Sequence, residues 1–139
     1  MIVVEVLKTV KETPDIVTLY FTSIEPAYPG QYIMVWLPGV DEVPMSLSTI
    51  GDTCSVSIRV VGDATRALAA LKIGDRIGVR GPYGNSYRIT GRKPLLISGG
   101  VGIASLTPLA EEMVKIGIKP TFLMGVRSGS QLLFKERLK

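Results

Sequence analysis

The chain has 139 residues, 46% hydrophobic and 20% charged, which supports a packed core and excludes a disordered tail. Its net charge of +4 is uneven: residues 1–86 carry seven Lys/Arg against nine Asp/Glu, and residues 87–139 carry nine against three. A basic second half suits an anionic ligand or an acidic partner, and equally a solvated surface. Nucleic acid is disfavoured, because the basic residues are scattered and few aromatics accompany them. Cys54 is the single cysteine and histidine is absent, so an intramolecular disulfide is excluded and zinc or iron–sulfur ligation by this chain alone is not expected. Without histidine the usual general base for a Ser or Cys nucleophile is missing, which argues against a hydrolase. No apolar run approaches the roughly 20 residues of a spanning helix, and Met1–Glu5 lacks the pattern of a signal peptide. A cytoplasmic protein with no membrane association is the expectation.

Residues 1–88 read as short strands separated by turns. Alternation predicts strands over Ile2–Val10 and Ile16–Thr22, interrupted by Lys11–Asp15. Tyr28-Pro29-Gly30 turns into a strand over Gln31–Leu37, and Pro38–Glu42 into one over Pro44–Ile50. In the strand over Thr53–Val61, Val56, Ile58 and Val60 share one face, and Ser55, Ser57 and Arg59 the other. Cys54 lies in the same alternating pattern and is expected to be a buried structural thiol. Asp63–Leu71 favours a short helix by propensity, and Gly74-Asp75 turns the chain into a strand over Arg76–Arg80. Six short strands and an inserted helix predict a small antiparallel barrel, since closing a sheet removes its edges.

Between Tyr87 and Lys93 the pattern changes. Pro94–Ser98 is an apolar strand, Gly99-Gly100-Val101-Gly102 a glycine turn, and Leu106, Leu109, Ala110 and Met113 recur at helical spacing, with Gly117 as the stop. Pro120–Val126 predicts a second apolar strand and Ser130–Leu138 a second helix. Strand–helix–strand–helix is the opening of a parallel α/β domain, here residues 93–139. The chain shows no repeat and no low-complexity linker.

Four segments bear on chemistry. Glycines between a buried strand and a helix, as at Gly99–Gly102, bring backbone amides close to a phosphate, although a plain tight turn explains them as well. Glu42-Val43-Pro44-Met45-Ser46-Leu47-Ser48 places hydroxyls on a barrel strand; by itself it reads as an alternating strand with two exposed serines. Gly62-Asp63-Ala64-Thr65 is a helix start that can hold an anion or simply cap the helix. Gly81-Pro82-Tyr83-Gly84-Asn85 is a compact turn carrying an aromatic.

Taken in order, Pro-Met-Ser-Leu-Ser, Gly-Asp-Ala-Thr, Gly-Pro-Tyr-Gly-Asn and Gly-Gly-Val-Gly resemble the ferredoxin-reductase-like flavoproteins, most of all the electron-transfer subunits that serve dihydroorotate dehydrogenases. The resemblance implies an FAD-binding barrel over residues 1–88 followed by part of an NAD(P)-binding α/β domain over residues 93–139. It implies FAD as cofactor, NAD(P)H as substrate, and a catalytic dehydrogenase subunit or iron–sulfur protein as partner in an oligomer or hetero-complex. The family's Arg-Pro-x-Ser stretch is matched by Pro44, Met45 and Ser46, with Val43 at the arginine position. That loses a bidentate phosphate ligand, for which Arg59 and Arg66 are substitutes by charge.

Ser57, Ile58 and Arg59 match a segment lying along the flavin, and Ala64 and Thr65 a Gly-Thr pair at the short helix. Gly81 and Tyr83 match the last barrel turn, Gly99, Gly100 and Gly102 the nicotinamide-nucleotide turn, and Arg127 a position near the adenosine ribose, where it would favour a phosphate or sit as a plain surface arginine. The cysteine cluster that holds a [2Fe–2S] centre in such subunits is absent from this chain, and so is the rest of the nucleotide domain, so the chain reads as truncated and is expected to depend on the remainder for activity. The implied role is electron transfer between NAD(P)H and a partner redox enzyme. The alternative is a non-catalytic nucleotide-binding, regulatory or assembly module of the same fold.

Overall fold

A computed structural model describes residues 1–24 and 26–139. Six strands, β1 (Ile2–Thr13), β2 (Ile16–Thr22), β3 (Tyr32–Leu37), β4 (Asp41–Thr49), β5 (Thr53–Arg59) and β6 (Arg76–Tyr83), close into an antiparallel barrel in the order β1-β2-β5-β4-β3-β6, β6 returning to β1. Period-two alternation explains the closure. Leu19, Phe21, Ile33, Val35, Cys54, Val56, Ile58, Ile77 and Val79 all point inward and are buried in one cluster, and burying such side chains contributes roughly 1.5–3 kcal/mol each. Cys54 is a buried thiol within it, as its strand position implies. Helix α1 (Asp63–Ala69) caps one end of this core through Leu68.

The second unit is a pair of parallel strands, β7 (Leu95–Gly99) and β8 (Thr121–Gly125), joined through a 3₁₀ turn at Gly100–Gly102 and helix α2 (Ile103–Lys115). Leu109 and Ala110, four and three residues before Met113 on α2, pack with it on Leu96. The two units share a joint. Barrel residue Ile16 is buried with Ile103, Ala104, Leu133 and Phe134, and α2 lies over β4.

Several boundaries differ from the sequence expectation. β1 continues through Lys11-Glu12 to Thr13 and turns on Pro14-Asp15 alone. β6 extends through Gly81-Pro82 to Tyr83, absorbing them as a bulge opposite β3. Ser130–Leu138 is not a helix: a 3₁₀ turn occupies Gly129–Gln131, and Phe134 sits at φ +58. Consecutive Leu133 and Phe134 are both buried in the joint, and that demand outweighs helical propensity; beyond the 3₁₀ turn, a bond from the Leu138 amide to the Phe134 carbonyl closes one further turn. Ser48 is fully buried rather than exposed, and Ser55 and nearly all of Ser57 are buried with it, because α2 lies over β4 and the Gly100–Gly102 turn lies against β5 on that outer face.

Candidate functional site

The carboxyl ends of β7 and β8 finish level, with Gly99 opposite Gly125, and this is the edge where open parallel sheets take ligands. Gly100 has φ +54, a conformation that favours glycine. A Cβ built there meets only the Arg59 guanidinium, 4.0 Å away. The last residue of β5 therefore reaches from the barrel to the glycine turn. Between them lies an open cleft of about 390 Å³ lined by Arg59, Gly99, Gly100, Gly125, Val126, Arg127 and Gln131. Gly102 is exposed with open space beside it.

Arg59 is aimed by an ion pair: its Nε donates to Asp15 at 3.1 Å, and the Thr13 hydroxyl donates to the other Asp15 oxygen at 3.0 Å. The Thr13 hydrogen bond first, and Arg59 after it, hold the Asp15 carboxyl below its ordinary pKa. Arg127 is exposed and takes part in no ion pair among the described residues. The cleft lining thus contains two guanidiniums and, among the described residues, no carboxylate, with Asp15 standing behind Arg59.

The other predicted residues fall in two further places. On the outer barrel face, Ser46, Tyr32 and Tyr83 are register partners across β4, β3 and β6 and so form one row. The two tyrosine rings lie 5.8 Å apart, and all three residues are exposed, as are Pro44 and Gly81. A solvent-facing aromatic pair beside a hydroxyl is a surface on which a flat ring system can lie. Val43 and Met45 instead pack against the barrel core. The valine at the motif's arginine position is therefore a packing residue. Across the barrel wall Arg80 is bound bidentately to Glu42 at 2.6 and 2.8 Å. That hydrogen bond and the nearby charge hold the Glu42 carboxyl below its ordinary pKa.

At α1 the Thr65 hydroxyl accepts from the Val61 and Gly62 amides and donates to the Gly62 carbonyl. Its side chain is spent on capping, so what this end offers a ligand is the amides of Asp63, half-buried Ala64 and Thr65, which have no intrahelical acceptor. Arg66 is exposed and pairs with Asp63 at 2.9 Å.

Ser57 and Ile58 are not brought to a surface. Ile58 lies in the barrel core. The Ser57 hydroxyl bonds Thr18 at 2.8 Å and donates to Ser48 at 3.1 Å, and Ser48 bonds Ser55 at 2.8 Å. This chain of four hydroxyls runs beneath the joint. Arg137 closes it from the other side, donating to Glu111 and, at 2.8 Å, to the Ser48 carbonyl. Sequence reasoning missed Arg137, whose partners lie 26 and 89 residues away. It also missed Tyr32, although an aromatic alternating with Ile33 and Val35 was a legible sign of an outward ring.

Comparison with known proteins agrees with this geometry. No family model matches the chain. A dihydroorotate dehydrogenase B (NAD(+)) electron transfer subunit of Methanocella arvoryzae is 46% identical over 132 residues, 94% of this chain and 50% of the relative. One of Thermoplasma volcanium is 38% identical over 137 residues, 99% of this chain and 52% of the relative. Among solved structures, a chain of an NADH-dependent reduced ferredoxin-NADP oxidoreductase superposes with TM-score 0.88 at 29% identity, covering all of this chain and 54% of its own. Phthalate dioxygenase reductase superposes with TM-score 0.87 at 17% identity, covering 99% of this chain and 47% of its own, a likeness of fold.

The chain has the fold of the ferredoxin-reductase-like flavoproteins. Within that group, the curated relatives it matches are dihydroorotate dehydrogenase B electron transfer subunits, and it spans about half their length. No helix among the described residues is long and apolar enough to cross a membrane.

Proposed function

We propose that the chain is part of an electron-transfer flavoprotein subunit that moves electrons between NAD(P)H and a partner redox enzyme, a dihydroorotate dehydrogenase or an iron–sulfur protein, in the cytoplasm. Residues 1–88 form the flavin-binding part and residues 93–139 the beginning of the nucleotide-binding part. The observation that carries this reading is the cleft in which Arg59 from the barrel meets the Gly99–Gly102 turn and Arg127. It sets a nucleotide-binding turn against the barrel, as transfer between a nucleotide and a barrel-bound cofactor requires.

The residues present suit FAD. The Tyr32–Tyr83 row offers a flat apolar bed, and Ser46 beside it offers a hydroxyl to a ring heteroatom. The amides of Asp63, Ala64 and Thr65 offer donors to a phosphate. FAD, when bound, converts a two-electron hydride exchange into single-electron steps. This chain's residues bind, orient and neutralise charge: Gly99–Gly102 admits a pyrophosphate close to the backbone, and Arg59 and Arg127 balance its charge. No side chain need move a proton, in keeping with the lack of histidine.

An absorption spectrum of the purified chain incubated with FAD tests this reading. Flavin bands that stay with the protein through gel filtration, and bleach on anaerobic addition of NADH or NADPH, are the expected result. A preparation that retains no flavin refutes it. Bound flavin that neither nucleotide reduces favours a regulatory module instead.

A further inference from the structure

The row of Ser46, Tyr32 and Tyr83 stands where the β3–β6 ladder is interrupted. Tyr32 is opposite Tyr83, but Met34 is opposite Arg80, so β6 spends one residue more than β3 between the two rows. A bulge of this kind disrupts the local pairing. The backbone ladder alone therefore does not fix the Tyr83 ring against Tyr32.

Gln31 supplies the missing hold. Its side-chain Nε2 donates to the Gly84 carbonyl at 3.0 Å, and its Oε1 accepts from the Tyr28 amide at 2.8 Å. Both partners are backbone groups of fixed role, one an acceptor and one a donor, so a primary amide serves both where a carboxylate or an ammonium serves one. The Gln31 carbonyl also accepts from the Leu47 amide at 3.2 Å. One residue thus secures every member of the row: it precedes Tyr32, bonds the residue after Tyr83, and bonds the residue after Ser46. Gly84 itself has φ +85, a conformation that favours glycine, and the Tyr32 ring lies 3.5 Å from where its Cβ would stand. The Gln31 amide and the Tyr32 ring therefore grip the same residue.

We infer that Gln31 is a positioning residue of the flavin site, holding Tyr83 against Tyr32 so that a flat ring system meets a bed already formed. The inference rests on the proposal that FAD lies at this row, and Gln31 acts through Tyr83 rather than through the cofactor. Side chains ordered before a ligand arrives do not charge their ordering to the binding step.

The test is flavin fluorescence titration of the whole chain with FAD, on variants whose folding is checked by far-ultraviolet circular dichroism. Gln31→Met keeps the length and loses both bonds; Gln31→Asn keeps the amide but is one methylene too short to span both partners. Each should weaken FAD about three- to tenfold, the range an aromatic contact supplies. Ser55→Ala, which removes a hydrogen bond on the joint side of the barrel, should leave FAD affinity within about twofold.

A double-mutant cycle separates positioning from a general loss of stability. In a Tyr83→Ala background Gln31→Met should change FAD affinity by less than about twofold, because the side chain it acts through is gone. Gln31 variants that bind FAD like the parent, or a Gln31→Met effect that persists in full without Tyr83, overturn the inference while leaving flavin binding intact. A parent chain that binds no FAD overturns it together with the flavin half of the proposed function.

Discussion

Replacing Ser57 by alanine tests whether the hydroxyl chain beneath the joint acts as a structural unit. Ser57 is its middle link, bonded to Thr18 at 2.8 Å and to Ser48 at 3.1 Å. Ser48 keeps Ser55 when Ser57 is cut, but the fully buried Thr18 hydroxyl keeps no partner among the described residues. A neutral hydrogen bond is worth about 1 kcal/mol net, and a stranded buried hydroxyl costs about 1–3 kcal/mol, so Ser57→Ala should destabilise by roughly 2–3 kcal/mol. Ser55→Ala removes only the terminal link and leaves no hydroxyl stranded, so it should cost about 1 kcal/mol. The double change Thr18→Val with Ser57→Ala removes the stranded group and should recover most of the loss, since apolar replacement of both partners is nearly neutral.

Urea unfolding at constant slope reads these differences as midpoint shifts, roughly 1 M for the Ser57 variant. A Ser57→Ala loss no larger than that of Ser55→Ala, or a double variant as unstable as the summed singles, would refute the reasoning.

Ser46→Ala, at an exposed position, should leave stability within about 0.5 kcal/mol but weaken FAD retention several-fold, whereas Ser57→Ala should leave FAD affinity unchanged; flavin fluorescence titration separates the two. Gly100→Val puts a branched side chain at φ +54 under the Arg59 guanidinium, at a cost of about 1–2 kcal/mol; titration should show nucleotide binding lost and FAD binding kept. Asp15 and Glu42 both have folded pKa values below their ordinary ones. Their ion pairs therefore stabilise the fold above the usual carboxylate range, and that stability is lost as pH falls through the lowered values. Carboxyl ¹³C NMR should find both titrating below normal, with Thr13→Val and Arg59→Gln each raising the Asp15 midpoint; a midpoint that either change leaves in place contradicts the assignment of causes.

The barrel was legible because each strand alternates, and alternation survives in any context that buries one face. The same logic misjudged Ser48. Period two says which residues share a face but not whether something distant covers the second face, and here a unit beginning about 40 residues later covers it. The second helix failed for a related reason. Ser130–Leu138 has helical propensity, but Leu133 and Phe134 are both drawn into a joint that exists only once the barrel has formed. At the site, Gly99–Gly102 was readable because its chemistry is backbone chemistry. Arg59 was singled out with its β5 neighbours, yet only the fold shows that it alone reaches the cleft while Ile58 faces the barrel core and Ser57 lies beneath the joint.

The bond from Arg137 to the Ser48 carbonyl gives β4 a second allegiance. The strand that carries Ser46 on the barrel's outside is clamped, two residues further on, by a side chain from the other unit. The barrel is therefore not an interchangeable cartridge. A chimera that exchanged either unit for a homologue's would have to carry over Ser48, Glu111 and Arg137 together, or the angle at which the cleft opens would drift with the graft.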